Sequence, residues 1–144
     1  MRRSNTEIVE HPLFERLTSL DLDRSNFVIF GSAPLWVRRI RSHVGDLDIV
    51  ARGPAWEKAL SLGHQHGIAP SGSPVVSFWN GEIEIFPEWL PPCTDTDSLI
   101  DHAELIAGFR FARLADVRAY YEKELNGQSA LGEINGGVQP PCLL

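Results

Sequence analysis

Cysteine is nearly missing from this chain: Cys93 and Cys142 are the only two in 144 residues. Each follows a Pro-Pro pair, and neither has a second cysteine at ligand spacing. That excludes a thiolate metal knuckle and a disulfide framework, and leaves two reduced thiols as the expectation. Long apolar runs are also missing, and none approaches the roughly 20 residues that a membrane-spanning helix needs. The start, MRRSNTEIVEHPLF, carries positive charge but lacks the apolar segment of a signal peptide, so a cytoplasmic protein with no membrane partner is expected. Basic charge is in deficit, with 13 Lys and Arg against 19 Asp and Glu and a formal net charge of −6. Such a chain is no general polyanion binder, and phosphate has to be met by a local feature. No Ser-His-Asp or Cys-His arrangement stands out, and there is no internal repeat or linker.

What is present fits one ordinary domain. Hydrophobic residues make up 43% of the chain and charged ones 22%, which is enough to build a core in 144 residues. Residues 1–10 read as a polar, frayed start. HPLFERLTSLDL (His11 to Leu22) has helical spacing, and FVIF (Phe27 to Phe30) reads as a buried strand ending at Gly31. APLWVRRIRS predicts a helix with Pro34 in its first turn, DLDIVA a strand, and GPAWEKALSLGHQHG a helix capped by Gly67. VVSFWNGEIEIF is a hairpin signal, because Asn80-Gly81 suits a tight type I′ turn between Val75–Trp79 and Glu82–Phe86. PEWLPPCTDTD reads as a loop, SLIDHAELIAG as a helix, and FRFARLADVRAYYEKELNG as a short extended piece followed by a helix from about Leu114. Residues 128–144 form a loose tail, and residues 1–127 a single domain. The class is α+β, with helices packed in layers on a mixed sheet.

The chemistry concentrates in GSAPLWVRRIRSHVGDLDIVA, Gly31 to Ala51. In a strand, residues two apart share a face, so Asp46 and Asp48 point together while Leu47 and Ile49 point to the core. Two carboxylates on one face repel unless solvent, a base or a cation separates them. An oxygen-rich pair suits a hard cation such as Mg²⁺, which takes its remaining ligands from water and phosphate. GEIEIF repeats the pattern, so Glu84 or Glu82 is available as a third carboxylate. The Gly31-Ser32 turn between strand and helix offers backbone N–H groups and a hydroxyl to an anion.

FVIFGSAPLWVRRIRSHVGDLDIV resembles the nucleotidyltransferases of the DNA polymerase β superfamily, in particular the small stand-alone bacterial members and those of abortive-infection and toxin–antitoxin systems. The resemblance is most specific over Phe27 to Ala51 and continues loosely through GEIEIFPEWLP and AELIAGFRFARLADVRAYY. It implies a small nucleotidyltransferase-like fold that moves a nucleoside monophosphate from a nucleoside triphosphate to a hydroxyl on a small molecule, an RNA end or a protein. Asp46, Asp48 and Glu84 would be the catalytic and metal-holding carboxylates for Mg²⁺ or Mn²⁺, with Glu84 deprotonating or orienting the hydroxyl. Gly31 and Ser32 would hold the triphosphate, and Arg41 would contact phosphate. Members of the group commonly carry a lysine where this chain has Tyr121, followed by a basic element where it has NGQSALG. The alternative is a catalytically degenerate relative acting as a binding partner, for instance half of a toxin–antitoxin-like pair; a protein partner or a homodimer is a separate expectation that the sequence leaves open.

Other residues carry plainer expectations. Arg38 and Arg39 read as a solvated helix face, and His64 and His66 as a helix-end cap. Trp36 and Trp56 read as core, and Trp79 and Trp89 as pocket walls. Tyr120, Tyr121, Arg110, Arg113 and Arg118 form a candidate acceptor or partner surface. Asp95, Asp97 and Asp101 read as loop and helix-start acids.

Overall fold

The computed structural model describes residues 1–63, 65–69, 72–90 and 93–127, without the side chains of Gln65 and residues 122–127. The tail 128–144, Cys142 and His64 lie outside the described residues. The chain forms a mixed α+β structure in which seven strands make one sheet. The strands are β1 (Phe27–Phe30), β2 (Leu47–Ala51), β3 (Gln65–Ile68), β4 (Pro74–Phe78), β5 (Ile83–Phe86), β6 (Glu104–Ile106) and β7 (Phe109–Phe111). The helices are α1 (Asn5–Val9), α2 (Pro12–Ser19), α3 (Ala33–Val37), α4 (Gly53–Leu62), α5 (Thr96–Asp101) and α6 (Leu114–Gly127). The sheet order is β3-β4-β5-β2-β1-β7-β6, so β2 and β1 lie inside it with neighbours on both sides. β1 runs antiparallel to β2 and parallel to β7, while β2 runs parallel to β5. None of the described helices is long and apolar enough to cross a membrane.

The unbroken apolar run FVIF becomes a central strand because both faces of the sheet are covered there, and all four residues are buried. Phe27, Ile29, Leu47, Ile49 and Ala51 join the first core, under Ile8, Phe14 and Leu17 of α1 and α2, Trp36 and Val37 of α3, and Ala55 and Ala59 of α4. Val28, Phe30 and Val50 join the second core, with Trp89, Leu99, Ile100, Val117 and Tyr120. Asp48 lies on this second face, one alternation before Val50.

Several elements differ from their sequence expectation, each for a local reason. Residues 5–9 are a helix rather than a frayed start: the Ser4 hydroxyl accepts from the Glu7 N–H, and the Glu7 carboxylate accepts from the Ser4 N–H. This reciprocal cap nucleates the turn, and the buried Ile8 anchors it. The helix expected over APLWVRRIRS stops at Val37, and Arg39 takes a positive φ of 62°. The helix expected to run to a cap at Gly67 ends at Leu62, and Gln65–Ile68 forms a strand on β4 instead of a helix end. SLIDHAELIAG divides into α5 and β6. Ala107 and Gly108 both have positive φ there (54° and 83°) and close a tight β6–β7 hairpin that the alanine conceals in the sequence. The Asn80-Gly81 hairpin keeps the expected register, with Val76, Ser77 and Phe78 paired to Ile85, Glu84 and Ile83, but Trp79 and Glu82 leave the strands for the turn, where Trp79, Asn80 and Gly81 all have positive φ.

Candidate functional site

Pairing across the sheet places Phe30, Asp48, Glu84 and Ser77 in one row. The row lies where β1 ends and β2 and β5 begin, at one end of the sheet. Asp46 precedes β2 by one residue and is half-buried, whereas Asp48 is 3% exposed. Gly31 follows Phe30 with φ of +68°, and a Cβ built on it would stand 2.6 Å from Asp48 Oδ2. Glycine is therefore required twice over, for the left-handed backbone and for the carboxylate lying against its α-carbon. Ser32, also buried, follows it at the start of α3.

The electrostatics are uncompensated. Asp48 Oδ2 is buried and has no hydrogen-bond partner. Burial first, then the charges of Asp46 and Glu84, hold the Asp48 carboxyl well above the ordinary carboxylate range. Asp46 is pushed up to about 6 by burial and then by Glu84. Among the described residues, no cationic side chain offsets either shift. The Ser77 hydroxyl donates to Glu84 Oε2 at 3.2 Å, which fixes that carboxylate within the row. The aromatic floor beside Phe30 is Trp89, 4.9 Å between ring centroids, and Tyr120, 6.3 Å. That apolar packing keeps the dielectric low, which is why carboxylates here are costly to ionise. Among the described residues, no group of three or more His, Cys, Asp or Glu side chains is arranged to hold a metal ion. The charge of Glu84 acts on both aspartates, and that of Asp46 on Asp48.

The structure separates the candidate residues. It brings together Asp46, Asp48, Glu84, Gly31 and Ser32. Glu82 is diverted from the row: it lies in the turn before β5 and ion-pairs with Arg16 on α2. Arg41 contributes its carbonyl oxygen to Arg3, at 3.1 Å. Arg38 is not solvated, as its guanidinium is mostly buried and binds Glu104 at 2.7 Å and the Pro34 carbonyl at 3.0 Å. Trp89 is a buried core ring rather than a pocket wall. Trp79, 39% exposed, does line a hollow of about 450 Å³ with Leu20, Leu62, Phe78 and Asn80. Asp97 and Asp101 pair with Arg52 at 2.9 Å each, and Asp95 caps α5. Cys93 is a buried free thiol raised to about 11 by burial, hence unreactive.

Two further side chains take part. Tyr121, on α6, donates its hydroxyl to the Gly31 carbonyl at 3.2 Å, tying α6 to the glycine turn across 90 residues. No local pattern announces such a contact. Ser77 was within reach, because the Asn80-Gly81 turn already sets it opposite Glu84.

Comparison with protein-family models, with curated proteins and with solved structures finds no match to this chain.

Proposed function

We propose that this chain is a metal-dependent nucleotidyltransferase of the polymerase β type, transferring a nucleoside monophosphate from a nucleoside triphosphate to a hydroxyl acceptor in the cytoplasm. The observation that carries the reading is Asp48. A protein that leaves a buried carboxylate oxygen unpartnered, against a glycine and opposite a second acid, accepts a folding cost that a bound cation removes. The donor chemistry fits Mg²⁺ or Mn²⁺, since carboxylate oxygens predominate at the place and, among the described residues, no lysine or arginine is paired with them. Asp46 and Asp48 would hold the ion, with Glu84 beside them. The ion would supply charge neutralisation for the phosphates and polarisation of the reacting oxygens.

The remaining roles belong to the chain's own groups. The Gly31-Ser32 turn presents main-chain donors and a hydroxyl to the phosphates. Glu84, steadied by Ser77, accepts the proton of the attacking hydroxyl or orients it. The buried aromatic floor of Phe30, Trp89 and Tyr120 excludes water on the protein side. A small nucleotidyltransferase-like fold is part of this proposal, supported by the strand–turn–helix–strand order from Phe27 to Ala51.

One observation favours a second reading, a degenerate relative that acts as a binding partner. Tyr121 stands where the resemblance calls for a lysine, and its hydroxyl is engaged by the Gly31 carbonyl. Calorimetric titration with Mg²⁺ and a non-hydrolysable nucleoside triphosphate decides between them and tests the whole. The enzyme reading expects heat of binding that vanishes in Asp46→Asn/Asp48→Asn, and turnover with some hydroxyl acceptor among small molecules, RNAs and proteins. Binding without turnover selects the partner reading. No binding in the presence of metal removes the nucleotide from the account.

A further inference from the structure

The chain is acidic as a whole, yet one face of it is basic. Arg2, Arg3, Arg38, Arg39 and Arg41 meet where the N-terminus packs against the end of α3. The Arg3 N–H donates to the Val37 carbonyl at 2.8 Å, and its guanidinium to the Trp36 and Arg41 carbonyls at 2.8 and 3.1 Å. Two glutamates answer the five arginines. Glu104 is shared by Arg2 and Arg38, and Glu7 by Arg3 and Arg39. Among the described residues, the Arg41 guanidinium has neither a hydrogen bond nor an ion pair. The exposed His43 belongs to the same field: with Arg3, and after burial, it holds the His11 imidazole below the ordinary histidine range. Charged side chains outside the description, Glu122, Lys123, Glu124 and Glu133, are too few to cancel this excess of guanidinium.

We infer that this face binds a single nucleic-acid strand through its phosphates, with Arg2, Arg39 and Arg41 making the contacts. The residue type fits the ligand: the face is built from arginine alone, and the chain has no lysine before Lys58. Arginine presents a planar fork that matches phosphate oxygens in pairs, whereas lysine offers a point charge. The two inner arginines hold the outer three in place. Arg3 lies over the Trp36 ring at 4.6 Å, and Arg38 donates to the Pro34 carbonyl at 3.0 Å. Arg2 and Arg39 keep about half of their side chains in solvent. Arg39 takes a positive φ of 62°, uncommon for a long side chain, and is held there by Glu7 at 2.8 Å and the Arg2 carbonyl at 3.4 Å. Cations fixed in advance lose little freedom on binding.

Charge and shape select the occupant. Several separate cations match a repeated anion better than a single phosphorylated side chain. Ile40, 59% exposed between Arg39 and Arg41, offers an apolar contact to a sugar or an unstacked base, which a bare polyphosphate lacks. A membrane surface calls for aromatic or extended apolar insertion, and the aromatic ring here, Trp36, is buried. The net charge of −6 repels a polyanion elsewhere, so docking is confined to this face. The acid row contributes no group to it, and the inference stands independently of the catalytic proposal.

Fluorescence anisotropy of the full chain with a labelled single-stranded RNA of mixed sequence tests it, in EDTA, without nucleoside triphosphate and over a range of salt. Arg2→Gln, Arg39→Gln and Arg41→Gln should each weaken binding about three- to tenfold and lower the salt slope by about 0.7. Glu104 and Glu7 each keep one arginine in these variants, so circular dichroism should be unchanged. Should Arg39→Gln unfold, Arg2→Gln and Arg41→Gln decide. Ile40→Ser should weaken binding with the salt slope unchanged. Arg52→Gln, at a place where two carboxylates share one arginine, should bind as wild type does, and so should Asp46→Asn/Asp48→Asn. Absence of RNA binding at low salt overturns the inference, whatever anionic vesicles or polyglutamate then capture. So does binding that Arg2→Gln and Arg41→Gln leave intact, that Arg52→Gln weakens equally, or that polyphosphate matches in affinity.

Discussion

The two ends of β2 solve the same problem in opposite ways. Just past its last residue, Arg52 meets Asp97 and Asp101 at 2.9 Å each and the Asn26 amide oxygen at 3.0 Å. One guanidinium is shared there by two carboxylates, and the cluster holds the start of α4 against α5. At the other end, Asp46, Asp48 and Glu84 come together with no cation beside them among the described residues, and one buried oxygen has no partner there. The sequence does not lack arginines for the task, since Arg38, Arg39 and Arg41 lie within ten residues of Asp48. Arg38 and Arg39 are spent on Glu104 and Glu7. The contrast separates carboxylates paired with an arginine inside the chain from carboxylates that have no cationic partner among the described residues.

Substitutions can widen or erase that contrast. The largest effect is expected for Gly31→Ala. The φ of +68° and the 2.6 Å approach to Asp48 Oδ2 together should cost about 2–4 kcal/mol in denaturant unfolding. In an Asp48→Ala background only the backbone part remains, so the cycle should show coupling of about 1–2 kcal/mol. Next comes Asp48→Asn, with the opposite sign. Removing an ionisable group whose charged form is disfavoured should stabilise the apo protein at neutral pH by about 1–2 kcal/mol.

The pH dependence follows the same logic. Asp46 and Asp48 titrate higher folded than unfolded, so the native state holds protons that the unfolded chain has released. Their contribution to stability is therefore greatest below about pH 4 and falls as pH rises through about 6 and beyond. Urea unfolding across that window should show the decline in wild type, a shallower one in Asp48→Asn, and none from this site in Asp46→Asn/Asp48→Asn. At the satisfied end, Arg52→Ala should cost only about 1 kcal/mol, because its carboxylate partners are largely solvent-exposed and screened. The smallest effect is expected for Tyr121→Phe, about 0.5–1 kcal/mol for one hydrogen bond to the Gly31 carbonyl. A larger loss would mean that the glycine turn depends on α6 for its shape.

How much of this was legible beforehand depended on whether the signal was local. FVIF, DLDIV and the Asn80-Gly81 hairpin are set by short-range pattern and turn chemistry, and the hairpin also fixes Ser77 opposite Glu84. That Glu84 rather than Glu82 joins Asp48 depends on the parallel β2–β5 register, which no single segment encodes. The Ser4–Glu7 cap was written in the sequence as Ser-x-x-Glu, yet it was obscured by the polar residues around it. HQHG looked like a helix end because glycine and histidine favour one, but pairing with β4 overrode that preference. Arg38 looked solvated because its partner, Glu104, is 66 residues away. The Tyr121 contact with Gly31 and the burial of Trp89 are tertiary in the same sense.

The central claim is that the acid end of β2 is left open for a cation. Denaturant unfolding with and without Mg²⁺, in wild type and Asp48→Asn, tests it most directly. A ligand that binds only the folded state raises its stability in proportion to occupancy. Mg²⁺ should stabilise wild type and reverse its loss of stability with rising pH. Asp48→Asn, already the more stable apo protein, should gain nothing. Equal responses to Mg²⁺ in the two proteins, or none in either, would contradict it.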